Sequence, residues 1–322
     1  MRLYSCPKCG ERVFFENLGC ACGTPISYDP TADKMLAESV VCKNREVIGC
    51  NWISDTANSY CRSCAMTRTH PDMAIDELQG QWASAESSKR WVLANLGRLG
   101  WFDSSDSGAR PIFDLLGEQT QLGPSDPVMG HANGIITINV AETDSVELVA
   151  RRVQMGEPYR TMIGHFRHEL SHFLFLRLSS NKAWLEEFRR LFGDERADYA
   201  AALERHYAAL DDGSWRNEHI SHYASAHPDE DWAESSAHAL HLADLFDSAQ
   251  HLGLVWKSEG TDLEQSLDLG IALNHLSRSM GLQDVYPFIV SPKVREKLVF
   301  ARDALDRNRV WLTCYPKPEG DD

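Results

Sequence analysis

Apolar residues recur at helical spacing along most of the chain, and only two short runs read as strands. From about residue 72 to 101, Leu78, Trp82, Ala85 and Lys89 share a helical face, which Trp91, Leu93, Leu96 and Leu99 continue. Residues 104–127 are rich in Gly, Ser, Asp and Pro and hold one short apolar run at Ile112–Leu116, so they read as loops around a strand. The clearest strand is 134–140, which is short and β-branched. A helix follows at about 145–155, and 159–178 then reads as a long, largely buried helix. Further helical patterns lie near 183–191, 195–210, 229–247, 262–279 and 292–306. One small sheet among many helices predicts an α+β domain.

Residues 1–70 do not share this rhythm. Eight of the nine cysteines lie between Cys6 and Cys64, and the ninth is Cys314. No apolar stretch of signal-peptide length opens the chain, and none is long enough to span a membrane, so a cytoplasmic protein is expected. In that compartment clustered cysteines read as metal ligands rather than disulfides. Cys6-x-x-Cys9 followed by Cys20-x-Cys22 has the form of a zinc ribbon, and Cys42, Cys50, Cys61 and Cys64 supply a second set of four thiolates. A rubredoxin-like iron site uses similar ligands. So short a segment has little core of its own, and bound metal should supply much of its folding energy. The expected division is a zinc-ribbon module over 1–70, with one or two structural zinc sites, and a second domain over 71–322. Within the latter, 71–125 is a helical lead-in and 126–322 the catalytic core.

His168-Glu169-Leu170-Ser171-His172 is an HExxH motif. Residues four apart on a helix share a face, so both imidazoles can reach one zinc ion. Glu169 then stands where it can take a proton from a water that the metal acidifies. A catalytic zinc needs a third protein ligand. Pro228 and the three acidic residues after it mark the start of a helix. On that helix Glu230, Glu234 and His238 recur at four-residue spacing, a polar stripe that needs a partner. Glu230 is assigned as the third ligand, and Glu234 as the acceptor that orients a ligand histidine. Asp231 points about 100° away around the helix and is the weaker ligand. His227 competes from the loop before it. His165, one turn before His168, lines the cleft or is a supporting or core histidine, and His238 and His241 are read as supporting or core histidines. Asp194 and Asp198 are read as a helix cap and a solvated face.

The Glu-x-x-x-Glu spacing after HExxH resembles the gluzincin arrangement. A tyrosine seven residues before the ligand Glu resembles gluzincins of the lethal-factor type, which implies that Tyr223 helps stabilise the tetrahedral intermediate; a packed, hydrogen-bonded tyrosine is the alternative. The whole chain resembles the family of zinc-binding metallopeptidases with an N-terminal zinc ribbon. The matching runs are Cys6-Pro7-Lys8-Cys9, Phe15-Glu16-Asn17, Cys50-Asn51-Trp52, His131-Ala132-Asn133-Gly134 and Glu157-Pro158-Tyr159-Arg160. They continue through Gly164 to Glu169, Gly193 to Tyr199 and His227 to Glu234. Ser171 stands where Gly is expected and Asp229 where Trp is expected; neither change removes a proposed ligand. The resemblance implies a zincin-type peptidase.

The expected activity is zinc-dependent peptide-bond hydrolysis with Glu169 as general base. Two alternatives use the same residues: an amidase or deacylase acting on a non-peptide amide, and a binding protein whose HExxH site is only structural. Partners are expected to be peptides or proteins, recruited or merely scaffolded by the ribbon. The formal charge of −15 argues against nucleic acid, whose binding rests on neutralising phosphates. If an extended substrate pairs with the sheet, the backbone of residues 133–139 would receive it; an interior strand without a ligand is the alternative.

Overall fold

The computed structural model describes residues 2–143, 161–254, 260–286 and 289–307. The helix expected at 145–155, the run Glu157-Pro158-Tyr159-Arg160 and Cys314 lie outside them. The N-terminal part is built from pieces too short to hold themselves together. β1 (Tyr4–Ser5) pairs antiparallel with β2 (Arg12–Val13), β3 (Ser27–Asp29) pairs with β4 (Lys34–Leu36), and α1 (Arg45–Ile48) is one turn. Their aromatic residues join a larger core. Phe15 packs edge-on against Tyr28 at 4.8 Å and against Trp91 at 5.6 Å, so the ribbon shares its apolar interior with the helix that follows, α2 (Asp76–Arg98).

β5 (Thr67–Thr69) begins the main sheet, and the later strands are β6 (Ile112–Leu116), β9 (Gly130–Ala132) and β10 (Ile135–Asn139). Between them β7 (Gln119–Thr120) and β8 (Gly123–Pro124) form a separate small hairpin. The sheet order is β5-β6-β10-β9, with β6 and β10 parallel and β9 antiparallel to β10. Asn133 and Gly134 both take positive φ, 52° and 81°, as a two-residue hairpin requires, and Asn-Gly is the dipeptide that tolerates it. Phe113, Leu115, Ile136 and Ile138 are fully buried on the face turned to the helices. β10 is therefore interior: it pairs with β6 along its length and with β9 over Ile135–Thr137. Among the described residues β9 forms the edge instead.

The remaining helices are α3 (Met162–Leu178), α4 (Lys182–Phe192), α5 (Tyr199–Ala208), α6 (Pro228–His251), α7 (Asp262–Ser279) and α8 (Pro292–Leu305). Among the described residues, no helix is long and apolar enough to cross a membrane. Thr161 caps α3 by accepting from Gly164 N–H, and His227 caps α6 by accepting from Asp229 N–H. α3 and α6 lie side by side. Trp232 Nε1 donates to Ser171 O at 2.9 Å, and Arg167 is paired with Asp244 at 2.7 Å. Trp184, Phe188, Phe192, Trp232 and Phe300 form the aromatic cluster that clamps the first turns of α6 between α4 and α8.

One polar pair is sealed into that cluster. Lys297 Nζ lies 2.5 Å from Asp231 Oδ2, and both side chains are at most 3 % exposed. Removing one partner of a buried pair leaves the other charge without compensation. Lys297→Met is therefore expected to lower stability by about 3–5 kcal/mol, measured by urea unfolding. A loss below about 1 kcal/mol would mean that the pair behaves as a surface salt bridge.

Candidate active site

α3 is apolar on one side, where Phe166, Leu170, Phe173 and Leu174 are buried; it presents His168 and His172 on the other. The structure brings His168, His172 and Glu230 together, with one donor atom from each inside 4.8 Å. His168 Nε2 is 3.1 Å from His172 Nε2 and 3.0 Å from Glu230 Oε2, and His172 Nε2 is 3.4 Å from that same oxygen. A tetrahedral zinc with ligands at about 2.0–2.1 Å sets its ligand atoms roughly 3.3 Å apart. The three donors have the size and chemistry to hold that ion.

Charge at this cluster is arranged to keep the carboxylates ionised. Burial alone would raise Glu230, but the His168 and His172 imidazoles hold it far below the usual carboxylate range. Burial also opposes ionisation of Glu234, and its bond to His168 brings it down to about 2. His168 is pushed well above its ordinary value: burial disfavours the cation, and Glu230 and Glu234 together outweigh it. Its Nδ1–H donates to Glu234 Oε1 at 2.7 Å, which leaves Nε2 turned toward the other two donors. Glu169 is 7 % exposed, and its Oε2 is buried without a hydrogen-bond partner among the described residues. A buried carboxylate oxygen with nothing to accept from is costly to keep unless a ligand or water completes it.

Tyr223 begins a 3-10 turn over Tyr223–Ser225, and its ring is 6.1 Å from that of His168. Burial and the nearby Glu230 carboxylate push its phenol up, and the Tyr199 hydroxyl contributes to the same shift.

The other predicted residues have partners of their own. His227 is occupied at both nitrogens, by Ala197 O at 3.1 Å and by Asp229 N–H, so it caps the helix and reaches no metal position. Asp231 faces Lys297 on the far side of α6. His165 Nε2 lies 2.9 Å from Glu142 in the turn after β10. His238 continues the stripe but is hydrogen-bonded to the Tyr286 hydroxyl, and burial keeps its imidazole below the ordinary value. His241 meets Arg167. Asp198 caps α5 by accepting from Ala201 N–H, and Asp194 pairs with exposed Arg196.

Two residues at the site escaped the sequence pattern. The Tyr199 hydroxyl donates to Glu230 Oε1 at 2.6 Å. His131, on edge strand β9, stacks parallel to the His172 ring at 6.5 Å. Burial first, then the neighbouring His172, brings His131 down to about 4. Neither residue stands at a regular spacing from HExxH. Their only signal is that each lies inside a run carrying the family resemblance.

The cysteines form two clusters, Cys6/Cys9/Cys20/Cys22 and Cys42/Cys50/Cys61/Cys64. Sulfur–sulfur distances are 3.5 and 3.9 Å in the first and 3.7 Å for two pairs in the second. Zinc–sulfur bonds of about 2.3 Å require roughly 3.8 Å between tetrahedral sulfurs, so both clusters fit zinc. Gly10 and Gly23 follow the two first-site pairs directly, at φ 77° and 81°, and close each knuckle by donating to Cys6 O and Cys20 O. In the second cluster, Asn44 N–H and Cys61 N–H both point at Cys42 Sγ. α1 fills the irregular interval between Cys42 and Cys50.

Two histidines on one helix, faced by a glutamate on the next and preceded by a cysteine-bound ribbon, define a zinc-binding protein of the metallopeptidase class. The chain belongs to the family described as "Putative zinc-binding metallo-peptidase", whose model matches residues 78–304; a zinc-ribbon domain matches residues 3–41. It is 37% identical over 332 residues to uncharacterized proteins of Mycobacterium tuberculosis and Mycobacterium bovis, covering 95% of this chain and 96% of each relative. No solved structure matches it.

Proposed function

We propose that the protein is a gluzincin-like peptidase hydrolysing peptide bonds at a zinc site formed by His168, His172 and Glu230, with Glu169 as general base. The observation that carries this reading is the buried Glu169 oxygen without a partner, beside three donors spaced for one ion. Zinc held by His168, His172 and Glu230 would supply Lewis-acid chemistry there. Glu169 would take a proton from the attacking water and pass it to the leaving amine. Glu234 fixes the His168 ring and its tautomer through Nδ1. Tyr223 lies beside His168, where its phenol is proposed to steady the developing oxyanion. An extended substrate would be received at β9, the sheet edge that carries His131 toward His172. The two cysteine clusters would hold structural zinc, and the protein is expected to work in the cytoplasm on peptides or proteins.

Metal content per chain tests the reading. A His168→Ala/His172→Ala double mutant is expected to lose one zinc while keeping the cysteine-bound zinc. Unchanged stoichiometry would mean that the HExxH helix holds no metal, and the proposal would fall.

A further inference from the structure

We propose that Tyr199 is a positioning residue for the metal site, holding Glu230 so that only one of its oxygens is offered to the ion. The inference rests on the ligand set proposed above.

The two oxygens of Glu230 have different surroundings. Oε2 faces both histidine nitrogens, at 3.0 and 3.4 Å, while Oε1 accepts from the Tyr199 hydroxyl at 2.6 Å. Glu230 is only 2 % exposed, so solvent cannot readily replace that donor. A carboxylate next to zinc can bind through one oxygen or two, and an oxygen already engaged in a short, charge-assisted hydrogen bond is the less available of the two. Tyr199 thereby favours a four-coordinate site with one place open, the arrangement a catalytic zinc needs.

The phenol is itself held in place. Asp198 caps α5 immediately before it, and Arg189 forms an ion pair with Glu195 that braces the preceding loop. The Tyr199 ring packs edge-on against His227 at 5.1 Å, and His227 Nε2 donates to Ala197 O at 3.1 Å. The residue capping α6 thus also anchors the turn that delivers Tyr199 to Glu230, one helical turn inside the same helix. Ala202 is the only buried residue of α5, and His206 in its last turn packs against His222 at 4.2 Å.

Tyr199→Phe keeps the ring and its packing on His227 and removes the hydroxyl, with its hydrogen bond to Glu230 and its contact to Tyr223. Zinc affinity is measured on the full chain by competition with a fluorescent chelator, and cobalt(II) is used as the spectroscopic probe. The zinc lost in His168→Ala/His172→Ala is expected to bind about 10–100-fold more weakly in Tyr199→Phe, with cysteine-bound zinc unchanged. The cobalt visible bands of that site should weaken, because five-coordinate cobalt absorbs less than tetrahedral cobalt. Retained cysteine-bound zinc shows that the variant folds. If wild type binds the ion and Tyr199→Phe matches it in affinity and spectrum, the Tyr199 inference fails and the ligand set stands. If wild type binds no ion at this site, both fail.

Discussion

Glu169→Gln is expected to abolish hydrolysis while leaving the metal and the fold in place. Glutamine matches glutamate in size, so the packing of a 7 % exposed side chain is preserved. It cannot take a proton, and loss of a positioned general base costs about 10²–10⁴ in rate. Zinc should stay, because Glu169 is not among the three clustered donors. Stability should hold too, since Oε2 has no hydrogen bond to lose. The measurement is cleavage of a quenched-fluorescent peptide pool, alongside zinc content and the melting temperature. Activity within tenfold of wild type, with zinc retained, would remove Glu169 from the chemistry.

Cys61→Ser should have the larger effect on the molecule as a whole. Cys42, Cys50, Cys61 and Cys64 are all at most 3 % exposed and belong to the same core as Phe15, Tyr28, Trp52 and α2. Four thiolates gathered without a cation repel one another in a medium that screens them poorly. A structural zinc contributes about 10–16 kcal/mol to folding in small zinc-binding peptides, against a typical net stability of about 5–15 kcal/mol. The variant is therefore expected to lose one zinc and the cooperative melt of the whole chain. Cys9→Ser is the informative contrast: Cys9 and Cys22 are exposed, so the first site should empty with the main domain still folded. Circular-dichroism melting with zinc analysis checks both. A normal melt for Cys61→Ser would show that the second cluster is not structural.

The helices were legible in the sequence because their signals are local. His227 caps a helix where Pro228 and the acidic residues after it announced a start, and α7 matched its expected bounds at both ends; the cap expected at Asp194 falls on Asp198 instead. The i, i+4 relations of His168 with His172 and of Glu230 with Glu234 were legible for the same reason: one helix fixes each pair. Sheet order was not. Nothing in the run 134–140 says that β6 and β9 lie on either side of it, since partners are chosen by the packing of α2 and α3 beneath. Tyr199 and His131 were missed for a related reason. Each reaches the site from an element whose placement depends on tertiary contacts, so no sequence interval encodes the approach.

If the proposed sites hold zinc, the contrast in exposure between the two kinds of donor cluster would set how fast the ions turn over. His168 and His172 are partly open to solvent, so an ion there can be reached by a competing ligand directly. The Cys42 cluster is sealed, and its ion can leave only when the surrounding core opens. Its residence time is then governed by a local opening rate rather than by bond strength alone. Under zinc starvation the two kinds of site would part company, the histidine site emptying and refilling with supply. An ion in the Cys42 cluster would stay until the surrounding core opens.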